Sequence, residues 1–184
     1  MIIPTIDTPR LVLRPFTMSD VDALYQILQE QDILRYFPSS KPPPRERVEQ
    51  LISSQLKHWE EHKLGWWAVE PRFSRKLTGW CGLQYLPETE ETEVGFLLSN
   101  SFWGQGFATE AAKASLRYGF EDLGLKHIVG ITHPQNIASQ RVLRKLGMSF
   151  TVKTRYFGMD CYRYSIDRSD QNRTDDARQL QDAH

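Results

Sequence analysis

The chain has 184 residues and no net charge, because 23 Lys and Arg residues balance 23 Asp and Glu residues. It therefore has no overall field to attract nucleic acid or an anionic membrane, and no apolar stretch approaches the about 20 residues that span a bilayer. The length suits one domain, and Cys81 and Cys161, with no leader at the N-terminus, predict free thiols in a cytoplasmic protein.

The first half of the chain predicts one strand, two helices and three further strands. Thr17 or Ser19 can cap a first helix whose apolar residues recur at helical spacing. A proline cluster at residues 42–44 then separates this helix from a second one over Arg45–His62. The next three strands are predicted over residues 66–70, 78–86 and 93–98.

The second half predicts alternating helices and strands. A third helix over residues 109–122 leads to a strand over His127–Thr132, and a fourth helix starts near Asn136 and stops at Gly147. Two more strands are predicted over residues 150–157 and 161–166. The whole pattern is an α/β fold with a mixed sheet in the order βααβββαβαββ. The polar residues 167–184 are expected to be a non-catalytic C-terminal extension.

A glycine loop joins the strand at residues 93–98 to the third helix. Backbone N–H groups at a helix start have no intrahelical partner, and a loop without Cβ atoms lets phosphate oxygens approach them. The loop therefore predicts a cofactor that carries a diphosphate, although a glycine turn without a ligand is the alternative. A P-loop would need a Lys and a Ser or Thr after its last Gly, and a dinucleotide fingerprint would need Gly where Thr109 stands.

A second motif follows the strand His127–Thr132. Asn136 can cap the fourth helix, Ser139 falls at its third position, and capping alone could explain both residues. Ligands in α/β sheets bind at the carboxyl ends of strands, which here lie after Leu98 and Thr132. We therefore expect the two motifs to meet in one cleft.

The strand, the Gly-Gln-Gly-Phe-Ala-Thr loop and the downstream Asn-x-x-Ser helix together resemble the GNAT acyltransferase superfamily. The chain looks most like the Rim-type branch, the ribosomal-protein N-terminal acetyltransferase-like group, whose members open with a strand like residues 8–15. The resemblance covers residues 8–166. It implies one GNAT-like domain over residues 1–166, a cofactor cleft where the central strands splay, acetyl-CoA (CoA) as co-substrate, and no metal.

The resemblance also implies which residues hold the cofactor. The backbone of β-strand residues would pair with the pantetheine arm, an N–H near Leu97 or Leu98 would stabilise the oxyanion, and the loop would hold the diphosphate. Trp103 stands where much of the superfamily has Arg or Gln, so at that position the backbone has to provide the contact. The implied cofactor-binding residues are Phe96, Leu97, Leu98, Trp103, Gly104, Gln105, Gly106, Phe107, Ala108, Thr109, Asn136 and Ser139.

Two residues are candidates for proton transfer. Glu93 could accept a proton from the attacking amine directly or through water, and the alternative is a carboxylate that simply faces solvent. Ser139 could donate to the departing thiolate, because residues 143–148 contain no tyrosine, which has this role in many relatives.

Aromatic residues are candidates for the acceptor pocket. Trp66 and Trp67 point to opposite faces of a strand, so one is expected in the core while the other could line a pocket, as could Tyr36 and Phe37. Core packing is the alternative for each. No metal site is expected, because the two histidines at His58 and His62 lack the Glu that a zinc-protease motif places directly after the first His.

The sequence thus predicts an N-acetyltransferase that moves the acetyl group of acetyl-CoA to a primary amine, either a protein N-terminus or a small molecule. A CoA-binding regulator or pseudoenzyme that performs no transfer is the alternative. A phosphotransferase is disfavoured, because the chain lacks the Lys and the Asp cluster that metal-bound phosphoryl transfer uses. The expected partner is the amine, with no nucleic acid and no membrane, for a monomer or a homodimer.

Overall fold

The computed structural model describes residues 2–170, which form one eight-stranded sheet with helices on both faces. The strands are β1 (Ile6–Asp7), β2 (Leu11–Arg14), β3 (Trp66–Pro71), β4 (Gly79–Leu86), β5 (Glu91–Leu98), β6 (His127–Thr132), β7 (Ser149–Tyr156) and β8 (Met159–Asp167). The helices are α1 (Val21–Leu28), α2 (Arg45–His62), α3 (Phe107–Arg117) and α4 (Ile137–Lys145). None of these described helices combines the length and the apolar character that a bilayer span requires.

Two apolar cores sandwich the sheet. One contains Leu24 of α1 and Ile52 of α2 together with Leu97 of β5. The other contains Leu116 of α3, Leu143 of α4 and Leu98 of β5. Adjacent residues of β5 enter different cores because successive side chains of a strand point to opposite faces. β5 is thus buried between both layers, and the site described below forms along it.

The strands run in the spatial order β1-β2-β3-β4-β5-β6-β8-β7. Among the described strands, β5 and β6 are the parallel pair, and the other neighbours are antiparallel. The parallel pair is in register at a single position, Glu93 opposite Val129. Beyond that point the two strands diverge toward their carboxyl ends, leaving a gap in the middle of the sheet.

The predicted fold and element order are confirmed, with local differences in bounds. The strand expected over residues 8–15 is interrupted at its start, because Thr8 Oγ1 accepts a hydrogen bond from the Leu11 N–H at 2.9 Å and makes a turn between β1 and β2. The third helix begins two residues earlier than predicted, at Phe107, and its last turn over Tyr118–Asp122 is a π-helix. The predicted stop of α4 at Gly147 is present, with a φ angle of 86°.

Both cysteines are free and buried, as expected. The predicted extension over residues 167–184 lies largely outside the described residues, so it stays a prediction, as does the domain boundary at residue 166.

Candidate active site

An open cleft of about 280 Å³ occupies the gap between β5 and β6. It passes through the sheet, so residues from both layers reach it. Its lining comprises Tyr36, Phe37, Pro38, Trp66, Trp80, Gln84, Glu93, Val94, Gly95, Phe96, Ile131, Thr132, His133, Asn136, Ser139, Leu143, Phe157, Met159 and Cys161. Of the two motifs found in the sequence, the start of α4 contributes Asn136 and Ser139 to this lining, whereas the glycine loop at residues 103–109 lies outside it. That the two motifs form one site stays a prediction.

The backbone of β5 presents hydrogen-bonding groups to this gap at alternate residues. The Ser99 N–H donates to the Thr78 carbonyl at 2.8 Å, and a Cβ on Gly79 would lie 2.0 Å from the Leu97 carbonyl oxygen. Leu97 therefore bonds toward β4, and the alternation of an antiparallel ladder turns the N–H and C=O groups of Phe96 and Leu98 toward the gap. The sequence-based choice of Leu97 as a backbone contact is therefore corrected, because its backbone groups face β4. Its side chain is buried in the core.

The glycine loop lies directly after the β5 edge and is exposed. Gly104 and Gly106 have φ angles of 72° and 80°, in the left-handed region that favours glycine, and a Cβ on Gly104 would meet nothing within 4 Å. The first helical hydrogen bond of α3 runs from the Glu110 N–H to the Gly106 carbonyl at 3.0 Å. The N–H groups of residues 105–109 precede it, so they have no acceptor inside the helix. The loop is thus a backbone cradle open to an anion.

Arg10 holds this loop in place, a role that the sequence did not predict. Its Nη1 donates to the Gln105 carbonyl at 3.0 Å, its Nε bonds Glu110 at 2.6 Å, and its guanidinium lies 4.3 Å from the centre of the Phe107 ring. Burial opposes ionisation of Glu110, but hydrogen bonds from Thr8 and Arg10 outweigh it and keep the pKa of this carboxyl below its ordinary value. Arg10 lies about 95 residues before the loop, so no local pattern could identify it.

Trp103 differs from the sequence expectation in how it contributes. Its indole Nε1 donates to the Leu98 carbonyl at 2.7 Å, while about half of the side chain is exposed. Trp103 thus connects the loop to the end of β5. The Leu98 carbonyl, which faces the gap, accepts this hydrogen bond and so already has a partner. The N–H of Leu98 and both backbone groups of Phe96 are the remaining polar groups of the β5 edge there.

Glu93 lies in the cleft at the point where β5 and β6 part. Burial raises the pKa of this carboxyl to about 8, the Ile131 backbone acts in the opposite direction, and the negative charge of Glu91 adds to the rise. The side chain retains some contact with solvent through the cleft mouth. The alternative of a carboxylate that simply faces solvent therefore does not describe Glu93, because such a group would keep its ordinary pKa.

Asn136 and Ser139 come to the cleft from the start of α4. Asn136 is the N-cap, and its Oδ1 accepts a hydrogen bond from the Ser139 N–H at 3.0 Å, so the capping interpretation is correct. Both side chains also line the cleft, and within residues 2–170 the Ser139 hydroxyl has no hydrogen-bond partner. The capping contact uses the backbone of Ser139 and leaves the hydroxyl for another partner.

The aromatic candidates lie in two different places, as strand alternation implies for Trp66 and Trp67. Trp66 lines the cleft with Tyr36 and Phe37, whereas Trp67 is fully buried on the opposite face, where its Nε1 donates to the Pro4 carbonyl at 2.7 Å. Trp67 is therefore a core residue, and its candidacy for substrate binding was wrong. His58 accepts a hydrogen bond from the Tyr85 N–H, and no cluster of metal-ligating side chains occurs within the described residues 2–170.

Several cleft residues have no counterpart among the sequence candidates. They include Trp80, Gln84, His133, Phe157, Met159 and Cys161. Strand alternation could have identified Trp80 and Gln84. These β4 residues lie opposite Leu97 and Glu93 of β5, so their side chains are on the same face of the sheet as Glu93. His133 directly follows β6, at the strand end that the sequence marks as a ligand site. The β7–β8 turn gave no signal.

Comparison with known proteins adds the family. Residues 10–149 match the profile described as "Acetyltransferase (GNAT) domain". The chain belongs to the GNAT acetyltransferase family. Among its relatives is the uncharacterized N-acetyltransferase YoaA of Bacillus subtilis (strain 168), 29% identical over 145 residues that cover 78% of this chain and 82% of YoaA.

Solved GNAT structures have the same fold. The acetyltransferase from Agrobacterium tumefaciens str. C58 matches with a TM-score of 0.80 and 25% identity, over 90% of this chain and 95% of the other. RimL, a ribosomal L7/L12 alpha-N-protein acetyltransferase in complex with coenzyme A, matches with a TM-score of 0.76 and 18% identity, over 91% and 98%. The GNAT family uses acetyl-CoA, and this member is an acetyl-CoA-dependent N-acetyltransferase.

The residues present in this GNAT protein fit that co-substrate. The cradle of N–H groups over residues 105–109 suits a diphosphate, and a Cβ on the preceding Gly104 would face open space. The edge of β5 offers Phe96 to an amide-rich arm.

Proposed function

We propose that this GNAT enzyme transfers the acetyl group directly to a primary amine, with Glu93 as the base and Ser139 as the donor to the departing sulfur. The observation that carries the proposal is that Glu93 and Ser139 line one cleft, which also receives the polar edge of β5. A direct transfer needs these groups around one space. The amine is a small molecule or a protein N-terminus, the latter being the substrate type that the Rim-type branch implies.

The chain's own residues have separable tasks. The loop over residues 103–109 holds the diphosphate by its backbone, Phe96 and Leu98 pair with the pantetheine arm, and Asn136 bonds the arm or the acceptor. When bound there, acetyl-CoA supplies an acyl group as a reactive thioester. The N–H groups of the β5 edge are the donors available to the charge that develops on the acyl oxygen.

Glu93 takes the proton that the amine loses. The Glu93 carboxylate takes one proton from the ammonium form of the acceptor, and the resulting neutral amine forms the C–N bond as the thioester C–S bond breaks. The second proton of the nitrogen passes to the departing sulfur, which is released as a thiol. Glu93 has to be ionised for this role. With a pKa of about 8, the ionised fraction of Glu93 increases as the pH rises toward 8. That value is close to the pKa of an α-amino group, about 7.7–8.0, so the proton transfer is nearly balanced.

Ser139 acts on the leaving group. A thiolate has a pKa near 8.5, so one hydrogen-bond donor is enough to assist its departure. The hydroxyl of Ser139 is available because the helix cap uses only its N–H.

The test is release of free thiol from acetyl-CoA in the presence of amines, compared between the wild type and Glu93→Gln. We expect amine-dependent thiol release that the substitution largely removes while CoA affinity is kept. Tight CoA binding without transfer to any amine would instead support the regulator or pseudoenzyme.

A further inference from the structure

The acceptor side of the cleft is aromatic and nearly uncharged. Phe37 packs edge-on against Trp80 with ring centres 6.5 Å apart, and Trp66 stacks on Trp80 at 3.7 Å with the rings almost parallel. Glu93 is the only carboxylate in the lining, and the lining of this described cleft includes no Lys or Arg. The acceptor end can thus bury a ring but can pair only one positive charge.

The stacked indoles are held in place by glycines in the sheet beneath them. Gly82 lies opposite Trp66 on β3 and opposite Gly95 on β5. A Cβ on Gly95 would come within 3.2 Å of the Trp80 ring, so the indole packs directly on the Gly95 backbone and would have to shift slightly to admit a side chain there. Trp80 therefore lies flat beside the Glu93 strand, and the Trp66–Trp80 stack forms a rigid apolar wall next to the carboxyl group.

The opposite boundary of the acceptor side is a second aromatic contact. Tyr36, after α1, stacks on His133, after β6, with ring centres 5.3 Å apart and planes 25° apart. His133 Nδ1 accepts the Gln135 N–H at 3.2 Å, which fixes the imidazole. Arg35 lies outside the lining, with its guanidinium 5.4 Å from the Tyr36 ring centre. The space is bounded on two sides, and its 280 Å³ has to be shared with the acyl arm, so the acceptor has to be small.

We propose that the preferred acceptor is a small arylalkylamine, a primary amine on a short chain that ends in an aromatic ring and carries no carboxylate. This rests on the proposed function, because it assumes that acetyl transfer occurs beside Glu93. The ring packs against the Trp66–Trp80 wall while the nitrogen reaches the Glu93 carboxylate. Glu93 takes one proton from the ammonium form of the amine, the C–N bond forms as the thioester C–S bond breaks, and the second nitrogen proton passes to the departing sulfur.

Other amines lack complements in this space. An amino acid would bring a carboxylate next to Glu93 with no cationic side chain to pair it, and burying an unpaired charge is costly. A polyamine would place its further ammonium groups among aromatic rings with no second carboxylate. A simple alkylamine would leave the aromatic wall uncovered.

The test compares catalytic efficiency (kcat/KM) for five amines at one pH with saturating acetyl-CoA. The probes are 2-phenylethylamine, n-butylamine, phenylalanine, spermidine and a trialanine peptide. We expect 2-phenylethylamine to exceed n-butylamine by roughly 10- to 100-fold, the factor that corresponds to burial of one aromatic side chain. Phenylalanine, which differs by the added carboxylate, should be at least about tenfold poorer than 2-phenylethylamine.

Variants then test whether the aromatic residues of the cleft cause the preference for 2-phenylethylamine. Phe37→Ala and Trp66→Leu should each lower efficiency with 2-phenylethylamine several-fold more than efficiency with n-butylamine, and should leave the KM for acetyl-CoA as in the wild type. Phe73→Ala is the control, because Phe73 is also an exposed aromatic residue, 77% accessible, but does not line the cleft. Phe37 is itself 37% exposed, so its truncation should not prevent folding even if that of Trp66 does.

The outcomes separate this proposal from the proposed function. Turnover of n-butylamine, phenylalanine, spermidine or the peptide at least equal to that of 2-phenylethylamine would overturn the arylalkylamine assignment and leave acetyl transfer intact. An equal loss with both simple amines in Phe37→Ala would overturn it as well. Turnover of no amine would contradict the proposed function and the assignment together.

Discussion

The proposed site has two ends that are built on different principles. Its cofactor end is a contiguous loop, residues 103–109, that follows the β5 edge, offers backbone N–H groups and is held by Arg10. The acceptor end consists of side chains from four separate segments, with Trp66, Trp80, Tyr36 and His133 as its main surfaces. Glu93 lies between the two ends.

This difference indicates how one fold can keep its co-substrate and change its acceptor. A backbone cradle depends on glycine conformation and a helix start, so most side-chain substitutions elsewhere leave it intact. A side-chain wall changes with each residue that forms it. We therefore expect substitutions at the loop to change affinity for CoA with every acceptor, and substitutions at the wall to change the choice of acceptor.

The largest effect should come from Glu93→Gln, at the junction of the two ends. We expect turnover to fall about 100- to 10,000-fold below pH 8, the usual contribution of a general base. Wild-type efficiency should rise with pH up to about 8, because the carboxylate is the active form and burial raises its pKa to that value. The loss should shrink at higher pH as neutral amine accumulates.

Rate profiles between pH 6 and 10 measure this effect, with Glu88→Gln as the exposed carboxylate control. A loss that is the same at every pH would assign Glu93 a positional role.

The second largest effect is expected for CoA affinity, which tests the cofactor end. Gly106→Trp should weaken CoA binding by roughly 100-fold or more, because it places bulk where at least two N–H contacts to an anion form, each worth about 1.5–3 kcal/mol. Gly124→Trp is the control, since Gly124 also has a positive φ, 67°, and lies outside the loop. A Cβ on Gly124 would meet nothing within 4 Å, whereas a Cβ on Gly106 would lie 3.4 Å from Arg10 Nη2. Calorimetry with CoA on both folded variants gives the comparison, and unchanged affinity in Gly106→Trp would remove the loop from the binding site.

Ser139→Ala should have a smaller, purely kinetic effect. Loss of a hydrogen bond to a developing thiolate predicts a rate roughly ten- to a hundredfold lower, with CoA affinity nearly unchanged. The Asn136 cap accepts the Ser139 backbone N–H, so helix stability should be largely retained. Single-turnover rates, CoA affinity and melting temperature on the same variant separate the roles, and a wild-type rate would retire Ser139 as the donor.

The smallest effect should come from Arg10→Ala. Arg10 fixes the loop through the Gln105 carbonyl and Glu110, so its removal should raise the KM for acetyl-CoA several-fold while kcat changes little. Arg72→Ala is the control, because Arg72 makes a comparable exposed ion pair with Asp7 but does not contact the loop. An equal change in both variants would assign the effect to general destabilisation.

The same contrast explains how much could be predicted from the sequence. The glycine loop, the start of α4 and the gap after Leu98 and Thr132 are present where local patterns predicted them, and their role in binding stays a prediction. Arg10 was missed because its contact with the loop joins segments that are far apart in the sequence. Trp80 and His133 were within reach of strand alternation and of the strand-end rule but were not considered as candidates. The choice of Leu97 failed because the hydrogen-bonding phase of β5 is set by its register with β4, which composition does not reveal.

We propose that cofactor and acceptor occupy opposite ends of one site, the cofactor on backbone groups and the acceptor on aromatic side chains. The most direct measurement is a two-step NMR titration of ¹⁵N-labelled protein, first with CoA and then with 2-phenylethylamine. We expect CoA to shift the amide signals of residues 105–109 and Phe96, and the amine then to shift the indole N–H signals of Trp66 and Trp80. CoA shifting the indoles while the loop amides stay fixed would contradict it.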